Sequence, residues 1–284
     1  MLISEKTYNN SYLHEQGSIT IVSIGSYFSF FGVLLYRFMR DIQELLESAE
    51  KYKNVLLQKR FESKKNTVAY VIFNSQPRIL KWFVPGLKQN MEIEYSILKK
   101  GYSKLHIPSV FEKDTENNVL VMNYIIGENI CDIINNPEKD VEEKIKVVRL
   151  LADWFVNFHN FFKSETEFRL RGDANLKNFI LIRGSIWGVD FEESRIGKPS
   201  EDLATLCASL LSTNPMFTDD KFQLCQIFLD AYQKLVKWSV EYLNRDISYA
   251  LLERIQWRSN DEEILRKYAI RIRNKGLQVV RYNL

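Results

Sequence analysis

The chain has 284 residues, enough to build two lobes that share a cleft and to bury a substantial core. Its 45% apolar and 26% charged residues are those of a globular protein, and a net charge of +3 is too mild for wholesale nucleic-acid binding. The cysteines Cys131, Cys207 and Cys225 are widely spaced and form no Cys-x-x-Cys pair, which excludes a local zinc site or a disulfide framework. They read as reduced core thiols, and with no secretory signal pattern at the N-terminus a cytoplasmic protein is expected.

Residues 1–50 read as an N-terminal extension, polar at first and then apolar and helical. Gly17 to Tyr36 carries no charged residue and is followed by Arg37 and Arg40, so residues 17–36 have the length of a membrane contact. Their glycines, serines and threonine suit hydrocarbon poorly, and a packed element is the favoured expectation. Leu34, Leu35, Phe38, Ile42, Leu45 and Leu46 share one helical face, with Glu44, Glu47 and Glu50 off it.

From Asn54 the period changes to two. Val55 to Phe61, Thr67 to Phe73 and Arg78 to Phe83 form a predicted three-stranded meander joined by polar turns. A helix over Gln89 to Lys100 follows, stopped by Gly101, with Ile93, Ile97 and Leu98 toward the sheet. Strands near Ser109 to Glu112 and Val119 to Tyr124 complete an N-lobe over residues 51–124, and Ile125-Ile126-Gly127 reads as a hinge. Residues 125–284 form a C-lobe with helices over Glu142 to Phe162, Asp202 to Leu211, Asp219 to Tyr242 and Asp261 to Lys275, plus a hairpin over Asn178 to Val189. The fold class is α+β and bilobal, a small sheet-rich lobe joined to a larger helical one.

The most specific chemistry lies between Arg171 and Ala204. Asp173 stands five residues before Asn178, a hairpin follows, and Asp190 ends its return strand. Such an Asp/Asn/Asp set suits phosphoryl transfer from a metal-bound nucleotide, where catalysis is mostly positioning and charge neutralisation. Gly172-Asp173 with Asn178, then Asp190-Phe191-Glu192, then Gly197-Lys198-Pro199-Ser200-Glu201-Asp202-Leu203-Ala204 together resemble the core of the aminoglycoside phosphotransferase and choline kinase family, within the protein-kinase-like superfamily.

The resemblance implies ATP and magnesium as cofactors and a bilobal protein-kinase-like fold. It makes Asp173 the catalytic residue that orients the substrate hydroxyl, and Asn178 and Asp190 the metal ligands. Lys81, in Arg78-Ile79-Leu80-Lys81, would meet the α- and β-phosphates, with Glu94 fixing it and Glu92 as the alternative partner. Met122, Asn123, Tyr124 and Ile125 would line the adenine edge. Asp202 would be structural, accepting hydrogen bonds from the catalytic loop, and His159 reads as a packed core histidine.

Two departures stand out. Arg171 occupies the place where the family usually has histidine, either packing in its stead or marking a degenerate site. The loop over Glu62 to Thr67 has no glycine, so Ser63, Lys64 and Lys65 would supply side-chain donors to the phosphates instead. The expected activity is transfer of the γ-phosphoryl group of ATP to a hydroxyl of a small molecule. An atypical protein kinase or a lipopolysaccharide or sugar kinase, with a protein or lipid-linked acceptor, is the first alternative, and a non-catalytic pseudokinase the second. A carboxylate-rich surface beside Asp173 would indicate a cationic acceptor; a basic one would indicate an anionic acceptor.

Overall fold

Alternation along three central strands decides what each face of the small lobe meets. A computed structural model of the protein describes residues 42–277 apart from 62 and 64. In it, β1 (Leu56–Phe61), β2 (Thr67–Phe73), β3 (Gln76–Trp82), β4 (Val110–Asp114) and β5 (Val119–Asn123) form one antiparallel sheet in the order β1-β2-β3-β5-β4. Val68 pairs with Lys81 and Lys81 with Leu120, while Tyr70 pairs with Ile79 and Ile79 with Met122, so these residues share one face. The opposite face presents Ala69, Val71, Phe73, Leu80, Trp82, Val119 and Val121, all buried. A one-residue slip of β3 would carry Lys81 into that apolar layer, so burial enforces the register.

The outer layer is covered by helix α1 (Ile42–Ser48), whose Ile42, Leu45 and Leu46 are buried in the same cluster. The described part of the expected extension thus belongs to the small lobe. Leu34, Leu35, Phe38 and the uncharged residues 17–36 lie outside the described residues. Among the described residues no helix is long and apolar enough to cross a membrane. Tyr52 closes this layer, its hydroxyl donating to Asp114 Oδ2 at 2.8 Å.

Helix α2 (Lys88–Gly101) buries Met91, Glu94, Ile97 and Leu98. Ile93, expected to face the sheet, is only half-buried, because the helix turns its buried stripe to include Glu94, which bonds to Lys81. The chain then leaves β5 through residues 124–127 into β6 (Glu128–Asn129) and α3 (Ile130–Asn135), whose first turn is capped by the Asn129 side chain accepting from Cys131 N.

The large lobe is built on α4 (Val141–Phe162), capped by Asp140 accepting from Glu143 N at 2.6 Å. Its buried side chains run from Ile145 to His159 and pack against α5 (Pro199–Ser212) and α6 (Asp219–Leu235) in one core. Between them lie the short antiparallel pair β7 (Phe168–Leu170) and β10 (Arg195–Gly197), and the hairpin β8 (Phe179–Ile182) and β9 (Ser185–Gly188), which β6 extends. The predicted helix over Asp219 to Tyr242 ends at Leu235. There the Gln233 side chain donates to Trp238 O at 3.1 Å and accepts from Val240 N at 3.3 Å, turning the chain away. Tyr242 at φ 61 then starts a separate α7 (Leu243–Glu253), and α8 (Glu262–Lys275) completes the lobe. Cys131, Cys207 and Cys225 are free and buried, as expected.

Candidate active site

Lys81, on the cleft face of β3 and 5% exposed, is the point where the two lobes meet. Its Nζ lies 2.7 Å from Glu94 Oε2, 2.6 Å from Asp190 Oδ1 and 2.8 Å from Glu192 Oε2. Glu94 comes from α2, and the other two from the turn after β9. Its second oxygen accepts from Phe191 N at 3.1 Å, so the same carboxylate holds the lysine and the turn. Glu92, the alternative partner, pairs instead with Lys113 at 2.6 Å.

Burial alone would lower the Lys81 pKa, but Glu94, Asp190 and Glu192 outweigh it and hold the ammonium above its ordinary value. Burial likewise pushes the Asp190 carboxyl up, and Lys81 overrides it, leaving Asp190 below its ordinary value. For Glu94 burial prevails over Lys81, reinforced by Asp190 and Glu192, and its carboxyl is raised. One ammonium among three carboxylates leaves surplus negative charge. Oxygens of Glu94, Asp190 and Glu192 all lie within 4.8 Å of one another, a donor set suited to a hard divalent cation. Asp190 is the open member, its side chain 42% exposed against 1% for Glu94 and 9% for Glu192.

Asp190 adopts φ 66, a left-handed conformation that a non-glycine residue holds only where its surroundings require it. Arg171 supplies that requirement. Its Nη2 donates to Asp190 O at 3.1 Å and to Val189 O, while its guanidinium lies 5.0 Å from the Phe179 ring centre and 5.4 Å from that of Phe191. The side chain is fully buried, and among the described residues Nε and Nη1 have no hydrogen-bond partner. Burial pulls its pKa below the ordinary value, opposed by Asp173, Asp190 and Asp202. Arg171 is therefore packed beneath the site as a clamp on the backbone of Asp190.

The loop carrying Asp173 is held from below by Asp202, which accepts from Arg171 N at 2.6 Å and from Gly172 N at 3.0 Å. Asp202 also lies 3.1 Å from His159 Nε2, and His159 Nδ1 lies 2.8 Å from the Tyr232 hydroxyl, so His159 is a satisfied core histidine. Gly172, at φ +92, tolerates no side chain, since a Cβ there would fall 2.1 Å from Glu193 O. Asp173 Oδ2 accepts from Asn178 Nδ2 at 2.9 Å, and the same amide donates to Asp173 O at 3.1 Å. Val189 N donates to Asn178 O at 3.0 Å, which ties Asn178 to the residue before Asp190. With its Nδ2 so engaged, Asn178 has Oδ1 to offer a cation, and among the described residues that oxygen accepts no hydrogen bond. Ser209, buried in α5, accepts from Leu176 N and donates to Asn175 Oδ1, each at 3.1 Å, and anchors the loop's far end.

The glycine-free β1–β2 loop reaches down to the same turn. Lys65 pairs with Glu193, and Asn66 Nδ2 donates to Glu192. Ser63 Oγ accepts from Asn66 N at 3.3 Å, and Lys64 lies outside the described residues. At the other end of the cleft Met122 is 5% exposed in β5, the Asn123 side chain accepts from Arg78, and the Tyr124 ring stacks on Tyr70 at 4.5 Å. Among the described residues the backbone groups of Tyr124, Ile125 and Ile126 form no hydrogen bond, leaving that edge open to a planar ligand.

Two contributors were not assigned a role from sequence. Glu192 stood in plain view within Asp-Phe-Glu, and its spacing from Asp190 was the signal; Asn66 carried none.

No family model matches the sequence. A curated relative, the KEOPS complex subunit Bud32 of Pyrococcus abyssi (strain GE5 / Orsay), is 25% identical over 156 residues, which are 54% of this chain and 63% of that protein, under two thirds of its length. Among solved structures, aminoglycoside phosphotransferase APH(4)-Ia aligns with TM-score 0.60 and 11% identity, over 83% of this chain and 98% of that one. The gentamicin complex of APH(2")-IIa aligns with TM-score 0.55 and 13% identity, over 83% and 97%. Macrolide 2'-phosphotransferase MphH from Brachybacterium faecium aligns with TM-score 0.56 and 13% identity, over 82% and 98%. A five-stranded sheet above a helical lobe, aligned along nearly the full length of those enzymes, gives this chain the protein-kinase-like fold of the aminoglycoside and macrolide phosphotransferases.

Proposed function

We propose that this chain is an ATP- and magnesium-dependent phosphotransferase that moves the γ-phosphoryl group of ATP to a hydroxyl of a small molecule. The observation that carries the reading is Lys81 Nζ held between Glu94 at 2.7 Å and Asp190 at 2.6 Å, with Asp173 and Asn178 bonded to each other on the adjoining loop. Solved structures of the same fold include a streptomycin–ATP complex and a complex with ADP and hygromycin B, which supports the nucleotide.

In this reading Asp173 accepts the hydrogen bond of the acceptor hydroxyl and directs its lone pair in line. Lys81 neutralises the α- and β-phosphates, and Glu94 keeps its ammonium in place. Asn178 Oδ1 and Asp190 hold magnesium, with Glu192 beside them. Magnesium, when bound, supplies charge neutralisation across the phosphates. Ser63 and Lys65 approach the phosphates by side chain, Lys65 exchanging Glu193 for them. Met122, Asn123, Tyr124 and Ile125 form the adenine edge, with Tyr70 and Ile79 as its apolar cover.

Asp173→Asn tests the assignment. Turnover of ATP with a panel of amino alcohols, sugars, nucleosides and aminoglycosides should fall by a factor of about 10³ or more. Nucleotide affinity, read by thermal shift with AMP-PNP and magnesium, should hold, because Asp173 acts on the acceptor. Turnover within a factor of two of the native protein would refute the role.

A further inference from the structure

The turn after β9 is anchored in the large lobe and reaches into the small one. Phe191 is fully buried in the large-lobe core, and Ser194 Oγ donates to Leu170 O at 2.6 Å, so both shoulders of the turn are fixed from below. Glu193 packs on the catalytic loop at Gly172, where its carbonyl leaves no room for a side chain. Between these anchors stands Glu192. Its carbonyl accepts from Asn90 Nδ2, near the start of α2, at 3.1 Å, and its Oε2 receives both Lys81 Nζ, at 2.8 Å, and Asn66 Nδ2. One residue of the large lobe thus ties together β3, α2 and the end of the β1–β2 loop.

Asn66 is the small-lobe partner, 2% exposed and immediately before β2. Both ends of its carboxamide are engaged: Nδ2 donates to Glu192, and Oδ1 accepts from Val84 N at 3.3 Å, just beyond β3. Asn66 therefore fixes the entry to β2 against the exit from β3 and fastens both to the large lobe. Glu192 is 7% exposed, and a buried donor or acceptor left unmet carries its desolvation cost, so the bond is held in the ligand-free protein. The neighbouring Lys65–Glu193 pair runs parallel to it, but its side chains are 41% and 42% exposed, and solvent screening makes it the weaker tie.

We propose that Asn66 and Glu192 are a positioning pair: their hydrogen bond sets the end of the β1–β2 loop and the Lys81 ammonium where the nucleotide phosphates require them. This rests on the phosphotransferase reading above and deepens it. Glycines let a loop's backbone settle onto phosphates without help from side chains. The sequence from Glu62 to Thr67 has no glycine, and a buried side-chain bond places the loop's end beforehand instead. The charges agree with that role. Lys81 already has Glu94 and Asp190, so a third carboxylate is not needed to balance one ammonium, and what Glu192 adds is the bond to Asn66. Both residues act through Lys81 and the loop.

The test compares Glu192→Gln, Glu192→Met, Asn66→Leu and the double variant Glu192→Met with Asn66→Leu. Glutamine keeps an oxygen that accepts from Asn66 and Lys81 but removes the charge; methionine removes both, and leucine keeps the shape of asparagine without its polar atoms. In ligand-free protein, amide hydrogen exchange across residues 65–68 and 190–194 should quicken about fivefold or more in Glu192→Met and in Asn66→Leu, the loss of one hydrogen bond, and stay within about twofold in Glu192→Gln. The Kd for AMP-PNP with magnesium, read by calorimetry, should rise in the same order, and the double variant should be no worse than the worse single, because the two residues act as one unit. The magnesium concentration for half-saturation should not move in Glu192→Gln. Damage in Glu192→Gln equal to that in Glu192→Met, or a shifted magnesium requirement, would mark Glu192 as a cation ligand and overturn the proposal, as would losses that simply add in the double variant. Exchange that responds as expected in a protein that binds no AMP-PNP leaves the pair standing and sinks the phosphotransferase reading; nucleotide binding with exchange unmoved in every variant sinks the pair alone.

Discussion

The surroundings of two buried lysines, Lys81 in the small lobe and Lys221 in the helical lobe, are built on opposite plans. Around Lys81 every charge is already bonded to another: one ammonium to Glu94, Asp190 and Glu192, and Glu192 further to Asn66. In the helical lobe Lys221 is the converse, a buried ammonium bonded only to neutral oxygens, those of Asn135 and Thr213. The first arrangement is preorganised, so little reorganisation remains when phosphates arrive. The second satisfies its three N–H donors with neutral oxygens and leaves the charge itself uncompensated. Within one fold, then, one buried lysine is surrounded by carboxylates and another by neutral oxygens.

The largest break in that contrast is expected at Lys81. Lys81→Met leaves three carboxylates around an apolar side chain. Removing one partner of such a buried pair costs about 3–5 kcal/mol, and urea denaturation should show a midpoint shift of that order. Turnover should fall with it, since the phosphates lose their cation. Adding Glu94→Gln to the same protein should restore part of the stability but none of the turnover, a coupling that a double-mutant cycle measures. An unshifted midpoint in Lys81→Met would mean that the ammonium does not hold the lobes together.

Arg171 comes next, because it belongs to the nucleotide side without touching the cleft. Arg171→Met keeps the bulk between Phe179 and Phe191 but strands the carbonyls of Val189 and Asp190, at a cost of about 1–3 kcal/mol. Asp190 should then relax from φ 66, and the magnesium concentration needed for half-maximal turnover should rise several-fold while the acceptor KM stays put. Equal changes in both would mark Arg171 as mere packing.

How far the site could be read from sequence follows from how local each signal is. Period two marked the strand that carries Lys81, and the resemblance of the ordered motifs picked out Lys81, Glu94, Asp173, Asn178 and Asp190, of which the structure brings Lys81 to Glu94 and Asp190, and Asp173 to Asn178. What escaped depends on contacts distant in sequence. The role of Arg171 exists only because Phe179 and Phe191 flank it and two carbonyls await it. Helix α7 was hidden because the break at Trp238 to Tyr242 contains neither proline nor glycine; a side chain, Gln233, makes that turn. The pair β7 and β10, three residues each, is too short to show a period.

The smallest effect is expected at Lys221 and is read through stability alone. Burial lowers the Lys221 pKa to about 8, an effect that Cys131 and Cys225 oppose and Lys144 and Arg258 reinforce. The thiols of Cys131 and Cys225 are themselves pushed up by burial. In the unfolded chain a lysine titrates near about 10.4. Between those values the unfolded state binds the extra proton, so stability rises with pH across that window; below about pH 8 both states are protonated and the full penalty applies. The native protein should gain roughly 1–2 kcal/mol between pH 7.5 and pH 10 relative to Lys221→Met, a figure reduced for solvent screening. Chemical denaturation at matched pH values measures it, and taking the difference between the two proteins removes groups they share. A flat difference would mean that Lys221 already has a counter-charge, and the two lysines would then be less unlike than their bonding patterns indicate.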